Sequence, residues 1–249
     1  MDFYLGTHRP NWLGFVNVPL FVSNRTLAPR HTFPRAVTDW ALDSGAFSEL
    51  MLYGRWKTGL EEYVENVDIY RVLIGRMQWA APQDWACEPF TREKTGLSVR
   101  EHQERTVQNY LDLKDRGPFI PVLQGWELDD FHFCVDLYAE AGVDLTEEPL
   151  VAVGSVCRRH ATAEIGWIMR SLHARGLRLH GFGVKQGGLE RYGDVMASAD
   201  SMAWSYRARR QPPLPGCTHK SCANCPVFAE RWYRRIRGRL DWPTLELAS

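Results

Sequence analysis

Residues 40–47 are Trp-Ala-Leu-Asp-Ser-Gly-Ala-Phe, a short apolar run that ends in a carboxylate and a glycine turn. Other apolar runs along the chain end close to Asp84, Gln124 and Gly154, and another contains Asp200. Polar residues at the ends of successive apolar runs are typical of parallel strands whose carboxyl ends form one functional face. The pattern predicts that these residues share one rim of the molecule.

Eight apolar runs have the length of β-strands, and they cover residues 3–6, 19–22, 40–43, 77–81, 119–123, 150–154, 179–184 and 198–202. Amphipathic stretches that predict helices cover residues 59–73, 99–116, 128–141, 161–175 and 189–197. This alternation predicts an α/β fold with a parallel sheet, and eight is the strand number of a (β/α)8 TIM barrel. An open doubly wound sheet is the alternative, because no clear helix separates the first two strands.

The composition excludes several classes of protein. The chain has 249 residues, of which 45% are hydrophobic, and this suits a single barrel with a buried core. Its 30 Lys and Arg balance its 30 Asp and Glu, which excludes a uniformly basic nucleic-acid coat protein and an acidic disordered tail. No run approaches the roughly 20 apolar residues of a membrane span, and no secretory signal is visible. We therefore expect a cytoplasmic protein without a membrane partner.

The neutral total hides an uneven distribution of charge. Residues 205–239 include nine basic residues and one acid, Glu230, so this segment carries +8 and the remainder −8. Four aromatic residues, Trp204, Tyr206, Trp232 and Tyr233, are interleaved with the arginines. Such a patch predicts contacts with phosphates and stacking on bases. The candidates for nucleic-acid binding are Arg158, Arg159, Arg207, Arg209 and Arg210. The alternative is a solvated basic helix packed on the barrel.

A cluster of metal-ligand residues lies within this basic segment. The spacing is Cys217-x-His219-x-x-Cys222-x-x-Cys225. Four such ligands within nine residues suit tetrahedral Zn²⁺, and a closed site of four protein ligands is structural because it leaves no open position for chemistry. An iron–sulfur cluster held by the three cysteines is the alternative, and it would make a radical enzyme a competing class.

The strand-end residues, taken in order, resemble a known family. The Asp-Ser-Gly-x-Phe element at Asp43, the later Asp84, the Val-Leu-Gln-Gly element at Gln124, the Val-Gly strand end, the Phe-Gly-Val strand and the final Asp200 are similar to elements of tRNA-guanine transglycosylases. Those enzymes are zinc-containing TIM barrels that exchange guanine for a 7-deazaguanine. The resemblance covers about residues 43–225. Ala46 departs from it, since the tRNA enzymes usually carry a second glycine there.

The element at residues 153–159 and the compact chain are more similar to the DNA-modifying branch of these enzymes. This branch is the deazapurine DNA modification transglycosylases, called DpdA, of bacteria and their phages. The resemblance implies base exchange in DNA through a covalent aspartyl-glycosyl intermediate, with the target base extruded from the duplex. A structural zinc ion and a 7-deazaguanine base are the implied cofactor and co-substrate.

The resemblance also implies roles for individual residues. Asp200 would be the nucleophile and Asp43 the general acid and base. The base would be bound by Asp84, Gln124, a backbone N–H at Gly154, and Gly183. Phe47 and Phe182 would stack on its two faces.

We expect a catalytic barrel over residues 1–204 and a basic, zinc-binding segment over residues 205–249. The same exchange on tRNA is the nearest alternative. A non-catalytic nucleic-acid-binding subunit of a DNA modification complex is a second alternative, which the presence of both Asp43 and Asp200 disfavours. Proteins of such a complex, and a second copy of the chain in a homodimer, complete the expected partners.

Overall fold

The computed structural model of the protein describes residues 1–240, so residues 241–249 of the expected basic segment lie outside the described residues. Within this range eight parallel strands form one sheet. They are β1 (Asp2–Thr7), β2 (Leu20–Ser23), β3 (Trp40–Asp43), β4 (Met77–Ala80), β5 (Val122–Leu123), β6 (Val151–Val153), β7 (Leu179–Gly181) and β8 (Met196–Ser201). Each lies within, or within two residues of, a strand predicted from the sequence.

The strand order is that of a barrel. Neighbours in the sheet follow the order β4-β3-β2-β1-β8-β7-β6-β5, so strands adjacent in the chain are adjacent in space. The two edge strands approach each other where Ala80 forms a parallel bridge with Phe119, and Ile120 N donates to Ala80 O at 3.2 Å. The TIM-barrel prediction is therefore confirmed, and the open doubly wound sheet is excluded.

The described residues form ten α-helices. They are α1 (Asn24–Leu27), α2 (Ala46–Tyr53), α3 (Leu60–Leu73), α4 (Pro89–Thr95), α5 (Val99–Leu113), α6 (Leu128–Glu140), α7 (Ala163–Ala174), α8 (Gln186–Tyr192), α9 (Ala203–Ala208) and α10 (Pro226–Leu240). The predicted helices over residues 59–73, 99–116, 128–141 and 161–175 correspond to α3, α5, α6 and α7. The helix predicted over residues 189–197 overlaps α8 only at residues 189–192, because a 3-10 turn and then β8 follow it. Between β1 and β2 the chain forms a 3-10 helix, Pro10–Gly14, which explains why no amphipathic pattern separates those strands.

The core has two layers because alternate residues of each strand face opposite sides of the sheet. One layer lies between the strands and the surrounding helices. The other fills the barrel interior, where Tyr4, Phe21 and Trp79 pack together with smaller side chains from β3, β5 and β6. This interior layer forms the floor beneath the carboxyl ends of the strands.

The basic C-terminal helix packs on the outside of the barrel. In α10, Phe228, Trp232 and Ile236 are buried in the outer core layer, and the Trp232 ring lies 5.9 Å from Phe3. Trp204 is also buried, with Nε1 donating to Gly6 O at 2.8 Å. The expectation that these two tryptophans stack on bases is wrong, because their rings hold α9 and α10 against the barrel.

No helix among residues 1–240 is long and apolar enough to span a membrane.

Candidate active site

A pocket of about 440 Å³ opens at the carboxyl ends of the strands. Its lining includes all eight residues that the sequence assigned to catalysis or base binding. These are Asp43, Phe47, Asp84, Gln124, Gly154, Phe182, Gly183 and Asp200. They lie in, or a few residues after, six different strands, so the barrel geometry brings them together.

Asp43 ends β3 and is followed by a tight turn. Gly45 has φ of 88°, and a Cβ there would lie 2.7 Å from Cγ of Arg25, so glycine is required. The next residue, Ala46, begins α2, so the turn needs only one glycine. Burial raises the pKa of the Asp43 carboxyl, hydrogen bonds from Ser23 and Gly45 oppose this, and the charge of Asp200 adds to the rise. Asp43 therefore retains a proton more readily than an ordinary aspartate.

Asp200 lies in β8 and is buried. Its Oδ1 accepts a hydrogen bond from the Gly183 N–H at 2.9 Å. Nε2 of His180 lies 3.4 Å from the same oxygen, while Nδ1 of His180 pairs with Ser198 Oγ at 2.8 Å. The position of Asp200 is thus defined by β7 and by the turn that follows it.

A chain of hydrogen bonds crosses the pocket wall from Asp84 to Glu88. Gln124 Nε2 donates to Asp84 Oδ2 at 2.5 Å, and Ser155 Oγ lies 2.6 Å from Gln124 Oε1 and 3.1 Å from Glu88 Oε2. A hydroxyl has one proton to donate. Burial raises the pKa of Glu88, and a protonated Glu88 would let Ser155 accept from Glu88 and donate to Gln124. The chain fixes which end of the Gln124 amide faces Asp84.

Asp84 is the most strongly perturbed carboxyl in this wall. Burial, followed by the negative charge of Asp43, raises its pKa to about 7, although hydrogen bonds from Gln124 and Ser44 oppose the shift. Ser44 Oγ donates to Asp84 Oδ1 at 3.1 Å. Asp84 therefore changes its charge close to neutral pH.

Gly154 serves the site by its lack of a side chain. A Cβ at this position would lie 2.2 Å from Gln124 Nε2, so only glycine lets the amide lie against the backbone. The Gly154 N–H donates to Leu123 O at 2.9 Å in the sheet. The prediction that this N–H meets the base is therefore wrong, because sheet pairing already uses it.

The two predicted stacking residues both line the pocket. Phe182 is half-buried and its ring stacks 5.9 Å from Phe21, while Phe47 is 41% exposed. The Arg158 guanidinium lies over Phe90 at 4.3 Å and over Phe47 at 5.4 Å, which places this cation at the rim. Phe182 is therefore fixed on the pocket floor, and Phe47 is an exposed ring at the mouth.

The other predicted arginines differ in their surroundings. Arg159 pairs with Glu164 at 2.9 Å, donates to Trp126 O, and keeps only 13% of its side chain exposed. Arg207 and Arg209 are exposed around the end of α9, and exposed Arg210 lies 3.4 Å from the Tyr206 ring centre. Arg159 holds the loop after β6, whereas the other three present charge to solvent.

Sequence reasoning did not single out Glu88 and Ser155, which line the pocket, or His180, which lies beside Asp200 beneath it. Glu88 follows Asp84 by four residues in the loop after β4, and Ser155 follows Gly154 directly. His180 is two residues before Phe182, so period-two alternation along β7 places both side chains on the barrel interior. That alternation was the available signal for His180.

The four predicted metal ligands also come together. One ligand atom from each of Cys217, His219, Cys222 and Cys225 lies within 4.8 Å of the others. Cys222 and Cys225 are buried, and Leu214 N donates to Cys222 Sγ at 3.3 Å. Three thiols and one imidazole are the donor set of closed tetrahedral metal sites, so this cluster could hold a metal ion.

A parallel barrel with carboxylates and an amide in its mouth, together with a C-terminal Cys/His cluster, is the architecture of a transglycosylase-like protein. The family model DpdA, described as DeoxyPurine in DNA protein A, matches residues 1–244, and the chain belongs to this family. A search of curated proteins gives no significant match. Family membership supports a role in deazapurine modification of DNA.

Proposed function

We propose that the protein is a DNA-guanine transglycosylase, which exchanges guanine in DNA for a 7-deazaguanine such as 7-cyano-7-deazaguanine. The observation that carries the proposal is the convergence of Asp43, Asp84, Gln124 and Asp200 on one pocket. Two carboxylates suit a double displacement at a sugar carbon. The third carboxylate and the amide suit recognition of a guanine-like base.

Base recognition follows from matching donors to acceptors. A guanine-like base offers an N1–H and an exocyclic amine as donors and a carbonyl as acceptor. The Asp84 carboxylate has free lone pairs for the donors, and Gln124 has a second N–H for the carbonyl. Phe182 and Phe47 provide apolar surfaces for the base faces. The deazapurine shares these groups, so one pocket serves both the leaving and the incoming base.

The exchange needs two balanced steps. In the first, an Asp200 oxygen attacks C1′ of the deoxyribose, the bond from C1′ to N9 of guanine breaks, and Asp43 donates its proton to the leaving base. In the second, the Asp43 carboxylate removes the N9 proton of the incoming base. That nitrogen attacks C1′ and releases Asp200. The raised pKa of Asp43 suits a group that first gives and then takes a proton.

A metal ion, which we propose to be zinc, would be held by Cys217, His219, Cys222 and Cys225 as a structural cross-link. The metal loop, residues 217–225, carries the four candidate ligands. Ser205 Oγ donates to Ala223 O at 2.8 Å and so ties this loop to α9, the helix that directly follows the strand of Asp200. We propose that residues from 205 onward act as the metal-binding segment that secures this end of the barrel.

The proposal is tested by offering the purified protein single-stranded DNA, duplex DNA or tRNA together with radiolabelled guanine. The labelled nucleic acid is then incubated with unlabelled 7-cyano-7-deazaguanine. Release of the label reports exchange, and nucleoside mass spectrometry identifies the inserted base. We expect label and then deazaguanine to enter DNA. Exchange into tRNA alone would establish the tRNA alternative.

Matched variants separate catalysis from binding. Asp200→Asn and Asp43→Asn keep the size of each side chain and remove its carboxylate. Both should bind DNA like the wild type, while Asp200→Asn loses exchange and Asp43→Asn exchanges at a strongly reduced rate. Wild-type protein that binds DNA but exchanges no base with any nucleic acid would favour the non-catalytic subunit.

A further inference from the structure

A second concavity of about 520 Å³ opens beside the active-site pocket. The two share His8 and Thr26 in their lining. The concavity is built from the segment after β1 and from α1 and the residues after it, which follow the carboxyl ends of β1 and β2. It therefore lies on the same face of the barrel as the pocket, and we call it the cationic groove.

The groove has positive charge without a compensating acid. Its lining includes Arg9, Arg30 and the imidazole of His8, and contains no carboxylate. Arg30 Nη2 donates to Asn11 Oδ1 at 2.6 Å and Nε donates to Thr32 O at 3.3 Å, both neutral acceptors. Within residues 1–240 neither arginine forms an ion pair with a carboxylate. Both guanidinium charges are therefore free to attract an anion.

An aromatic ring stands in the groove with the two arginines. Phe15 follows the 3-10 helix after β1 and is 57% exposed, although its neighbour in the groove, Trp12, is buried. An exposed phenylalanine beside unpaired cations is the composition of surfaces that bind single-stranded nucleic acid, where bases stack and phosphates meet cations. A simple phosphate or carboxylate ligand would not require the ring.

The metal loop orients the groove. Asn224 lies between Cys222 and Cys225 and reaches the groove lining. With its amide nitrogen donating to His8 Nε2 at 2.7 Å, its oxygen accepts from Arg9 Nη2 at 2.8 Å. The segment that holds the candidate metal ligands thus holds Arg9 and His8 at the border between groove and pocket.

We propose that the cationic groove binds the single-stranded segment flanking the nucleotide in the pocket, with Arg9 and Arg30 on its phosphodiesters and Phe15 on a neighbouring base. The identity of the flanked nucleotide rests on the proposed function, whereas binding of the strand itself does not. Extrusion of a base separates its strand from the duplex path, and a groove continuous with the pocket gives that strand a route.

The test measures the affinity for a fluorescein-labelled single-stranded deoxyoligonucleotide by anisotropy at several salt concentrations. Arg9→Gln/Arg30→Gln should weaken binding roughly tenfold to thirtyfold at 0.1 M salt and reduce the slope of log K against log salt by about 1.4, since each lost phosphate contact removes about 0.7. Phe15→Ala should weaken binding about tenfold and leave the slope unchanged, because stacking releases no counterions.

The matched control is Arg71→Gln/Lys114→Gln. Arg71 lies in the last turn of α3 and Lys114 directly follows α5, in the segments that lead to β4 and β5. Both exposed cations therefore lie on the face opposite the pocket. This control should keep the wild-type affinity and slope. Thermal unfolding of all variants verifies the fold.

Base exchange, measured in parallel, distinguishes the two proposals. If both the Arg9→Gln/Arg30→Gln and the Phe15→Ala variants keep the wild-type affinity and slope, the proposal that the groove binds single-stranded DNA is overturned, even if exchange proceeds. Loss of binding in these variants would support the groove even if no exchange occurs. Wild-type protein that binds no single-stranded DNA would also overturn it.

Discussion

Nε2 of His180 lies 3.4 Å from Oδ1 of Asp200, inside the barrel and below the mouth of the pocket. His180 is fully buried, and its ring lies 4.6 Å from Trp79 and 5.1 Å from Phe182. Nε2 has no hydrogen-bond partner within residues 1–240. An orphaned polar atom in a buried position is costly, and the nearest acceptor is the proposed nucleophile. His180 is therefore placed to position the Asp200 carboxylate.

His180→Phe should lower kcat for guanine exchange up to about a hundredfold, because it keeps the ring packing but removes the nitrogen beside Asp200. The KM for the base should stay near the wild-type value, since His180 does not line the pocket. Steady-state kinetics with saturating DNA measure both constants. Ser198→Ala is the control, because it removes only the Nδ1 partner. A kcat equal to that of wild type would mean that Gly183 alone orients Asp200.

Asp200→Asn should abolish a covalent protein–DNA adduct, because an amide oxygen is a poor nucleophile, and exchange should fall roughly 10⁴-fold or more. Asp43→Asn should slow adduct formation by about 10²–10⁴-fold without abolishing it, since it removes only proton transfer. Labelled DNA quenched in denaturant and resolved on a gel measures the adduct. An adduct that survives in Asp200→Asn at the wild-type level would show that another group attacks the sugar.

The affinity for the free base should rise with pH across neutrality. The base donates hydrogen bonds to Asp84, so binding needs the carboxylate, and the pKa of Asp84 is raised to about 7. Below that pH, KM for the base should increase about tenfold per unit, and above it KM should level off. Initial rates at varied base concentration measure this profile. Asp84→Asn should raise KM and remove its dependence on pH, whereas a profile unchanged by the substitution would assign the titration to another group.

Asp84 should also make the stability of the fold depend on pH. Base binding needs its ionised form, whereas the folded state favours its protonated form. Its folded pKa of about 7 exceeds the value of about 3.9 in unfolded chains. The folded state therefore holds the proton more tightly, and this contribution is present below about pH 4 and lost as the pH rises through 7. At pH 8, Asp84→Asn should be more stable than wild type by up to about 4 kcal/mol, and at pH 4 the two should match. Urea denaturation at both values measures the difference.

The strands and their polar ends were predictable from the sequence because a parallel barrel imposes one rule on all of them. A buried strand is a continuous apolar run, and the polar residues that end it or follow it lie at the rim. That rule located Asp43, Asp84 and Gln124 without any knowledge of tertiary contacts. It did not locate α2 and α4, because a short helix in a loop has too few turns to show an amphipathic period.

The sequence did not predict the features that depend on contacts between distant segments of the chain. The sequence around a tryptophan among arginines is the same whether its ring faces nucleic acid or the core. Trp232 is buried because α10 packs on the barrel, where its ring lies against Phe3. The N–H of Gly154 is unavailable because a neighbouring strand accepts it. His180 is polar inside a strand, and its relation to Asp200 emerges only when β7 and β8 are paired in register.

Removal of the metal ion should lower both the thermal stability of the protein and the affinity of the cationic groove for single-stranded DNA. Cys222→Ser replaces a buried candidate ligand, so the protein should lose the proposed zinc ion. Tm should then fall by roughly 10 °C, because closed four-ligand sites contribute folding free energy. Cys134→Ser is the matched control, since this buried thiol in α6 lies outside the cluster and its replacement should leave the metal in place. Elemental analysis and thermal unfolding measure both effects.

Because Asn224 joins the metal loop to Arg9, Cys222→Ser should also weaken single-stranded DNA binding at temperatures below its own Tm, whereas Cys134→Ser should not. Iron with visible absorbance would instead establish the iron–sulfur alternative, and full zinc content in Cys222→Ser would remove this residue from the ligand set.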